Sequence, residues 1–144
     1  MFNRILTVCV GNICRSPTAE YLFRQKLGPC DITFSSAGLG ALVDQPMDAT
    51  AMQLLAEQGI DAAAHRARQL TPAMLLDAEL VLGMEHRHVT MMTRMAPEAS
   101  GRIYLLDKWL QGRDIADPYR QQRPAFDHVY AMIAEGVDSW LRYL

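Results

Sequence analysis

In the run VCVGNICRSPTAE, from Val8 to Glu20, five residues separate Cys9 from Arg15, and Ser16-Pro17 follows at once. A thiol, a glycine, an arginine and a helix-starting pair at this spacing could hold an anion and attack it. The N–H groups of a tight loop and the positive end of a helix both favour negative charge. An arginine fork meets phosphate oxygens in pairs. The same field favours the thiolate of Cys9, which is the nucleophilic form. Gly11 and Asn12 are residue types that accept the left-handed backbone such a cradle needs. The chemistry expected is attack on phosphorus by Cys9. The loop of Val10, Gly11, Asn12, Ile13, Cys14, Arg15 and Ser16 would hold the equatorial oxygens, with Ser16 donating to the sulfur. The plain alternative is a turn in which Cys9 and Cys14 are small buried apolar residues. The combination of residue types, more than the bare spacing, speaks against it.

For this to work, Cys9 must stand at the end of a strand. NRILTVCV reads as a buried strand, and Ser16-Pro17 as the start of a helix that caps on the serine and stops at Gly28-Pro29. DITFSS reads as a second strand and MDATAMQLLAEQG as a helix ending at Gly59. A short helix is expected at Thr71-Pro72, a third strand in AELVLGM, a helix in HRHVTMMTRMAP and a fourth strand in RIYLL. A polar stretch from Asp107 to about Pro124 follows. Phe126, Val129, Tyr130, Ile133, Val137 and Leu141 then mark a closing amphipathic helix. Strands alternating with helices predict a three-layer α/β/α sandwich around a central parallel sheet of about four strands. Ligands gather at the carboxyl ends of strands in such sheets, where Cys9 and the phosphate loop would lie.

The 144 residues suit a single domain, 1–144, and no repeat or linker interrupts them. The formal charge of −2 does not suggest nucleic acid as a partner. No apolar run approaches a membrane span, and MFNRILTVCVGN is too quickly interrupted for a signal peptide. These features point to a cytoplasmic protein. Three cysteines, two of them in the loop, argue for thiol chemistry rather than a disulfide framework. His65, His86, His88 and His128 lack a metal-ligand spacing, so no metal or other cofactor is expected. His86 and His88 read as solvated helix residues, and Met91, Met92 and Met95 as core.

VCVGNICRSPTAE resembles the phosphate loop of the low-molecular-weight protein tyrosine phosphatases. SSAGL at Ser35–Leu39, HRARQL at His65–Leu70, LVLGMEHRH at Leu80–His88 and ADPY at Ala116–Tyr119 follow in that family's order. The likeness covers the whole chain, and SAGLGALV and MEHRHV bring it nearest the bacterial exopolysaccharide- and capsule-associated branch. The resemblance implies hydrolysis of phosphotyrosine in a protein, with an autophosphorylating bacterial tyrosine kinase as partner. It also implies a general acid. By residue type alone Asp107, Asp114, Asp117 and Asp127 are all candidates; the resemblance selects Asp117, the aspartate of DPY, with Pro118 stiffening its loop. Ser36 and His65 match residues that brace the phosphate loop through Asn12. Tyr119 and Ile13 match walls of the phosphotyrosine pocket. Two positions depart from the eukaryotic pattern: Leu42 stands where an aromatic wall residue is expected, and Arg120 replaces a second tyrosine.

Two other readings share these residues. A thiol-dependent arsenate reductase of the same fold needs downstream cysteines for a disulfide relay, yet after Cys14 the chain has only Cys30. A phosphate-binding module without turnover would need neither the nucleophile nor the acid.

Overall fold

The structure is a computed structural model and describes residues 2–144. Its first strand, β1 (Arg4–Cys9), is buried from Ile5 onward. β2 (Thr33–Gly38) and β3 (Leu80–Gly83) flank it, and β4 (Ile103–Leu105) pairs with β3. The order is β2-β1-β3-β4, and every pair is parallel. This is the expected four-stranded sheet. β2 alone runs beyond its predicted carboxyl end, to Gly38. The register sets Cys9 opposite Gly38, Val8 opposite Gly83, and Gly83 opposite Leu105. The carboxyl ends of the strands therefore lie level, and the loops that leave them share one edge of the sheet.

Both faces of the sheet are covered, because side chains alternate along β1. Ile5 and Cys9 face one apolar cluster, while Leu6 and Val8 face the other. The first cluster is completed by α1 (Arg15–Leu27), α2 (Ala49–Glu57) and α5 (Arg123–Leu141). The second is completed by α3 (Pro72–Asp77), α4 (His86–Met95) and a 3-10 helix at Pro97–Arg102, the last of which has no signal in the sequence pattern. Phe23 of α1 stacks on Phe34 of β2 with ring centroids 5.1 Å apart. Along α5, Phe126, Val129, Ile133, Val137 and Trp140 are buried, each worth about 1.5–3 kcal/mol for a fully buried large apolar side chain. The Trp140 indole N–H donates to the Leu106 carbonyl at 2.9 Å, fixing the end of the helix to the turn after β4.

The helix boundaries have local causes. α1 stops where Gly28 takes φ +64°, a conformation that favours glycine. Asp48 caps α2 by accepting from the N–H groups of Thr50 and Ala51, and Thr71 caps α3 by accepting from that of Met74. One expected cap is wrong: Ser16 lies inside α1, whose N-cap is Cys14, and its hydroxyl is committed to the loop described below. The helix α4 corrects two further expectations. His88 is fully buried while His86 is exposed, and of its methionines only Met92 is core, Met91 facing solvent. The helix turns one face into the sheet, and His88 and Met92 share that face at the i, i+4 spacing. No helix among the described residues is long and apolar enough to cross a membrane.

Candidate active site

Cys9 ends β1, and the chain from Val10 to Cys14 curls before α1 begins. Each carbonyl of this loop is held by a named donor. The N–H groups of Leu39, Gly40 and Leu42 reach Cys9 O, Val10 O and Gly11 O at 2.9, 3.0 and 3.0 Å, and that of Asp48 reaches Ile13 O at 2.7 Å. His65 Nε2 donates to Asn12 O at 2.7 Å, which fixes its tautomer, and Thr18 donates to Cys14 O through N–H and hydroxyl. In a trans peptide the N–H points opposite the carbonyl. With the carbonyls turned outward, the following N–H groups turn inward, around the mouth of the loop. That is a ring of donors suited to an oxyanion. Of the two residues expected in left-handed backbone, only Asn12 takes it, at φ +59°.

The side chains beneath the loop form one directed network. The Asn12 Oδ1 accepts from the Arg68 N–H at 2.9 Å, so its Nδ2 is free to donate, to Ser16 Oγ at 2.8 Å and Ser36 Oγ at 2.9 Å. The Ser36 hydroxyl in turn donates to Glu20 Oε1 at 2.6 Å. Ser16 accepts from Asn12, which leaves its hydroxyl proton for Cys9 Sγ at 2.9 Å. The Ser16 N–H is directed at the same sulfur, at 3.4 Å. Asn12, Ser16, Ser36, Glu20 and His65 are all buried. The sulfur thus faces two hydrogen-bond donors, both from Ser16. Burial above all, with the negative charges of Cys9, Asp48 and Asp117, holds the Cys14 thiol well above its ordinary value.

Arg15 is buried at the start of α1. Its Nη1 donates to Glu85 Oε2, just past β3, and to Ile115 O at 2.8 Å. No hydrogen bond among the described residues engages its Nε or Nη2. One edge of the guanidinium is therefore anchored, and the other is a free fork. Burial would raise the Glu85 carboxyl, but the hydrogen bond and charge of Arg15, helped by His88 and Arg87, bring it below the ordinary range.

Asp117 comes from the long loop after β4. Its Oδ1 accepts from the Tyr119 N–H at 3.0 Å, and its Oδ2 is 3.8 Å from Arg15 Nη2. Cys9 to Arg15, Gly40, Leu42, Asp117 and Tyr119 line one cavity of about 180 Å³. Ile13, Leu42 and Tyr119 are apolar or aromatic surfaces on that lining, and the Arg120 guanidinium lies 5.2 Å from the Tyr119 ring centroid. Ser16, Ser36 and His65 lie outside the lining and act on the loop from below. Of the other carboxylates weighed from the sequence, Asp107 is buried against Arg113, Asp114 pairs with His86, and Asp127 pairs with Arg123.

Four contributors carry no signal of their role in the sequence. Glu20, Arg68 and Glu85 lie within the motif runs, but residue type assigns them no role. Gly38 is the fourth: a Cβ there would stand 2.3 Å from Val10 O, so only glycine lets β2 close over the loop. Cys30 is exposed ahead of β2, whose first residue pairs with Arg4. It therefore sits at the opposite end of the sheet from Cys9, with no path for a thiol relay. No group of three His, Cys, Asp or Glu side chains able to hold a metal ion occurs among the described residues.

Known proteins share this sequence and fold. The family described as low molecular weight phosphotyrosine protein phosphatase matches residues 4–144. The low molecular weight protein-tyrosine-phosphatase Wzb of Escherichia coli K12 is 43% identical over 100% of this chain and 97% of its own length. The crystal structure of the Erwinia amylovora tyrosine phosphatase AmsI superposes with a TM-score of 0.94 at 40% identity, covering 100% of this chain and 94% of that one. The Vibrio vulnificus Wzb solved with benzylphosphonate gives a TM-score of 0.94 at 41% identity, with both chains covered completely.

Proposed function

The chain belongs to the low molecular weight phosphotyrosine protein phosphatases and is a protein-tyrosine phosphatase; from that premise we propose that it works through a phosphocysteine on Cys9. The observation that carries this reading is the outward anchoring of every carbonyl from Cys9 to Cys14, which leaves the loop amides and the free edge of Arg15 around the sulfur. The phosphoryl group binds there with its three equatorial oxygens on the amides and the Arg15 fork. The Cys9 thiolate attacks phosphorus, and the bond from phosphorus to the phenolic oxygen breaks. Asp117 gives its proton to that oxygen as it leaves. Water then attacks the phosphocysteine and loses a proton to Asp117; the S–P bond breaks, and inorganic phosphate departs with Cys9 again a thiolate. Ser16, donating to the sulfur, stabilises that thiolate both before attack and on departure.

The aryl ring of the substrate lies between Ile13, Leu42 and Tyr119, a pocket less aromatic than in relatives carrying a ring at the position of Leu42. A Vibrio vulnificus relative was solved with benzylphosphonate, which joins a phosphonate head to a phenyl ring, and this supports a site for an aryl phosphate. The substrate is phosphotyrosine in a protein. The likeness of SAGLGALV and MEHRHV to the exopolysaccharide-associated branch suggests an autophosphorylating bacterial tyrosine kinase in exopolysaccharide or capsule production.

The deciding experiment is turnover of p-nitrophenyl phosphate and of a phosphotyrosine peptide by Cys9→Ser. Hydrolysis should vanish while inorganic phosphate still binds, because the cradle is main chain. Near-normal turnover would remove Cys9 from the chemistry. For the acid, Asp117→Asn should lower kcat/KM strongly for phenyl phosphate and much less for phenols acidic enough to leave without a proton.

A further inference from the structure

The segment that leads into Asp117 is fastened at three consecutive residues, each to a different partner. Arg113 donates through its backbone N–H and its Nε to Asp107 Oδ2 at 2.8 and 3.0 Å, and through Nη2 to Oδ1 at 3.0 Å. Asp114 Oδ1 accepts from the His86 N–H at 2.8 Å and lies 2.7 Å from His86 Nδ1. Ile115 is buried; its N–H donates to Met84 O at 2.8 Å and its carbonyl accepts from Arg15. Past this point the fastenings change character. The hydrogen bonds of Asp117 stay within its own turn, from the Tyr119 N–H and from the Gln121 side chain, and its side chain is 44% exposed. Where Asp117 stands is therefore decided by the three residues just before Ala116.

The middle fastening is separable from the rest. Asp107 is buried and Ile115 is part of the seat of Arg15, so loss of either disturbs the core or the phosphate clamp. Asp114 is half exposed and touches neither. Its place has a clear local cause. The N-cap residue of α4, Glu85, makes no side-chain cap because its carboxylate is turned to Arg15 and Arg87, and the N-terminal N–H groups of a helix want an acceptor. Asp114 supplies it from 28 residues away. The His86 N–H first, and then its ring, hold the Asp114 carboxyl below its ordinary pKa, so the acceptor is charged at neutral pH.

We infer that Asp114 is a positioning residue for the proton donor: by capping α4 from the acid loop, it aims Asp117 at the leaving oxygen. It touches neither substrate nor reacting atoms, and the inference rests on Asp117 being the general acid. The cap ties the acid loop to the same turn, Met84–His86, that holds Arg15 through Glu85. Donor and clamp are thereby referred to one piece of backbone.

The test compares phenyl phosphate, whose leaving oxygen needs a proton, with 2,4-dinitrophenyl phosphate, whose leaving oxygen does not. It reads kcat/KM, which covers the steps up to cleavage of the ester bond. Asp114→Ala should lower kcat/KM about fivefold to tenfold for the first ester and less than about twofold for the second. Inhibition by inorganic phosphate should not change, because the cradle is untouched. Asp114→Asn, which keeps an oxygen for the His86 N–H, should recover most of the loss. In an Asp117→Asn background, Asp114→Ala should cost nothing more, since two residues acting through one proton are not additive. Equal losses on both esters, a further loss in that background, or no loss at all would overturn the inference while leaving Asp117 as the acid. An Asp117→Asn variant indifferent to the leaving group would remove the acid assignment itself, and the inference with it.

Discussion

Replacing Asn12 with alanine removes two donated hydrogen bonds and one accepted bond, and leaves a side chain other than glycine or asparagine at φ +59°. Two of the partners left behind, Ser16 and Ser36, are buried, and each unsatisfied buried group costs about 1–3 kcal/mol. We expect Asn12→Ala to destabilise the protein by about 2–4 kcal/mol in denaturant titration, and to lower kcat/KM, because Ser16 loses the donor that turns its proton toward Cys9. Asn12→Gly relieves the backbone but not the network, so it should recover only about 1 kcal/mol. A stability unchanged in both variants would mean the network does not hold the loop. The residues that were legible beforehand share a reason. Cys9, Asn12 and Arg15 line one cavity from within a single short loop, so their spacing is visible in a string. Glu20, Arg68 and Glu85 act on partners 16, 56 and 70 residues away, and a string without the sheet gives no hint of those meetings.

At the scale of elements, the end of β2 and the phosphate loop are built as a pair. The N–H groups of Leu39, Gly40 and Leu42 hold three loop carbonyls, and Gly38 lets the strand come close enough to do so. Gly38→Ala would put a Cβ against the Val10 carbonyl oxygen, a backbone atom that can yield only by moving the loop. We expect it to weaken inhibition by inorganic phosphate by about tenfold and to cost more than about 1 kcal/mol of stability. Gly101→Ala, where nothing lies within 4 Å, should leave both unchanged. Equal behaviour of the two variants would refute the close-approach argument. Strands were legible because aliphatic runs bounded by turn residues are plain in a sequence. Their ends were less so: the last residues of β2, Ala37 and Gly38, are set by the loop they serve, not by β propensity. The reading of His88 as solvated failed for a similar reason. Its polarity matched a wet face, but the register of α4 on the sheet turned it inward.

Across the whole molecule, that buried imidazole gives stability a dependence on pH. Burial foremost, then the charge of Arg15, lowers the pKa of His88, with Glu85 opposing. The unfolded chain therefore takes up a proton where the native protein resists it, and the contribution is fully present only above the ordinary imidazole value of about 6.5. Stability should fall as pH drops from about 7 toward 5, and His88→Gln should flatten that fall, read as thermal midpoints across this range. An identical slope in the variant would place the dependence elsewhere. The packing of α5 against α1 has a consequence in time as well. Trp140 and its neighbours close the apolar cluster that Leu22, Phe23 and Cys9 open, yet the chain between Cys9 and Leu141 takes on the order of ten seconds to translate. For that interval a nascent chain carries the Cys9 thiol on an unfinished core, before the Ser16 donors of the folded loop are in place. The loop around Cys9 is therefore seated on a complete core only once the final helix arrives, and a stalled ribosome would hold a chain with the thiol but not the core beneath its loop.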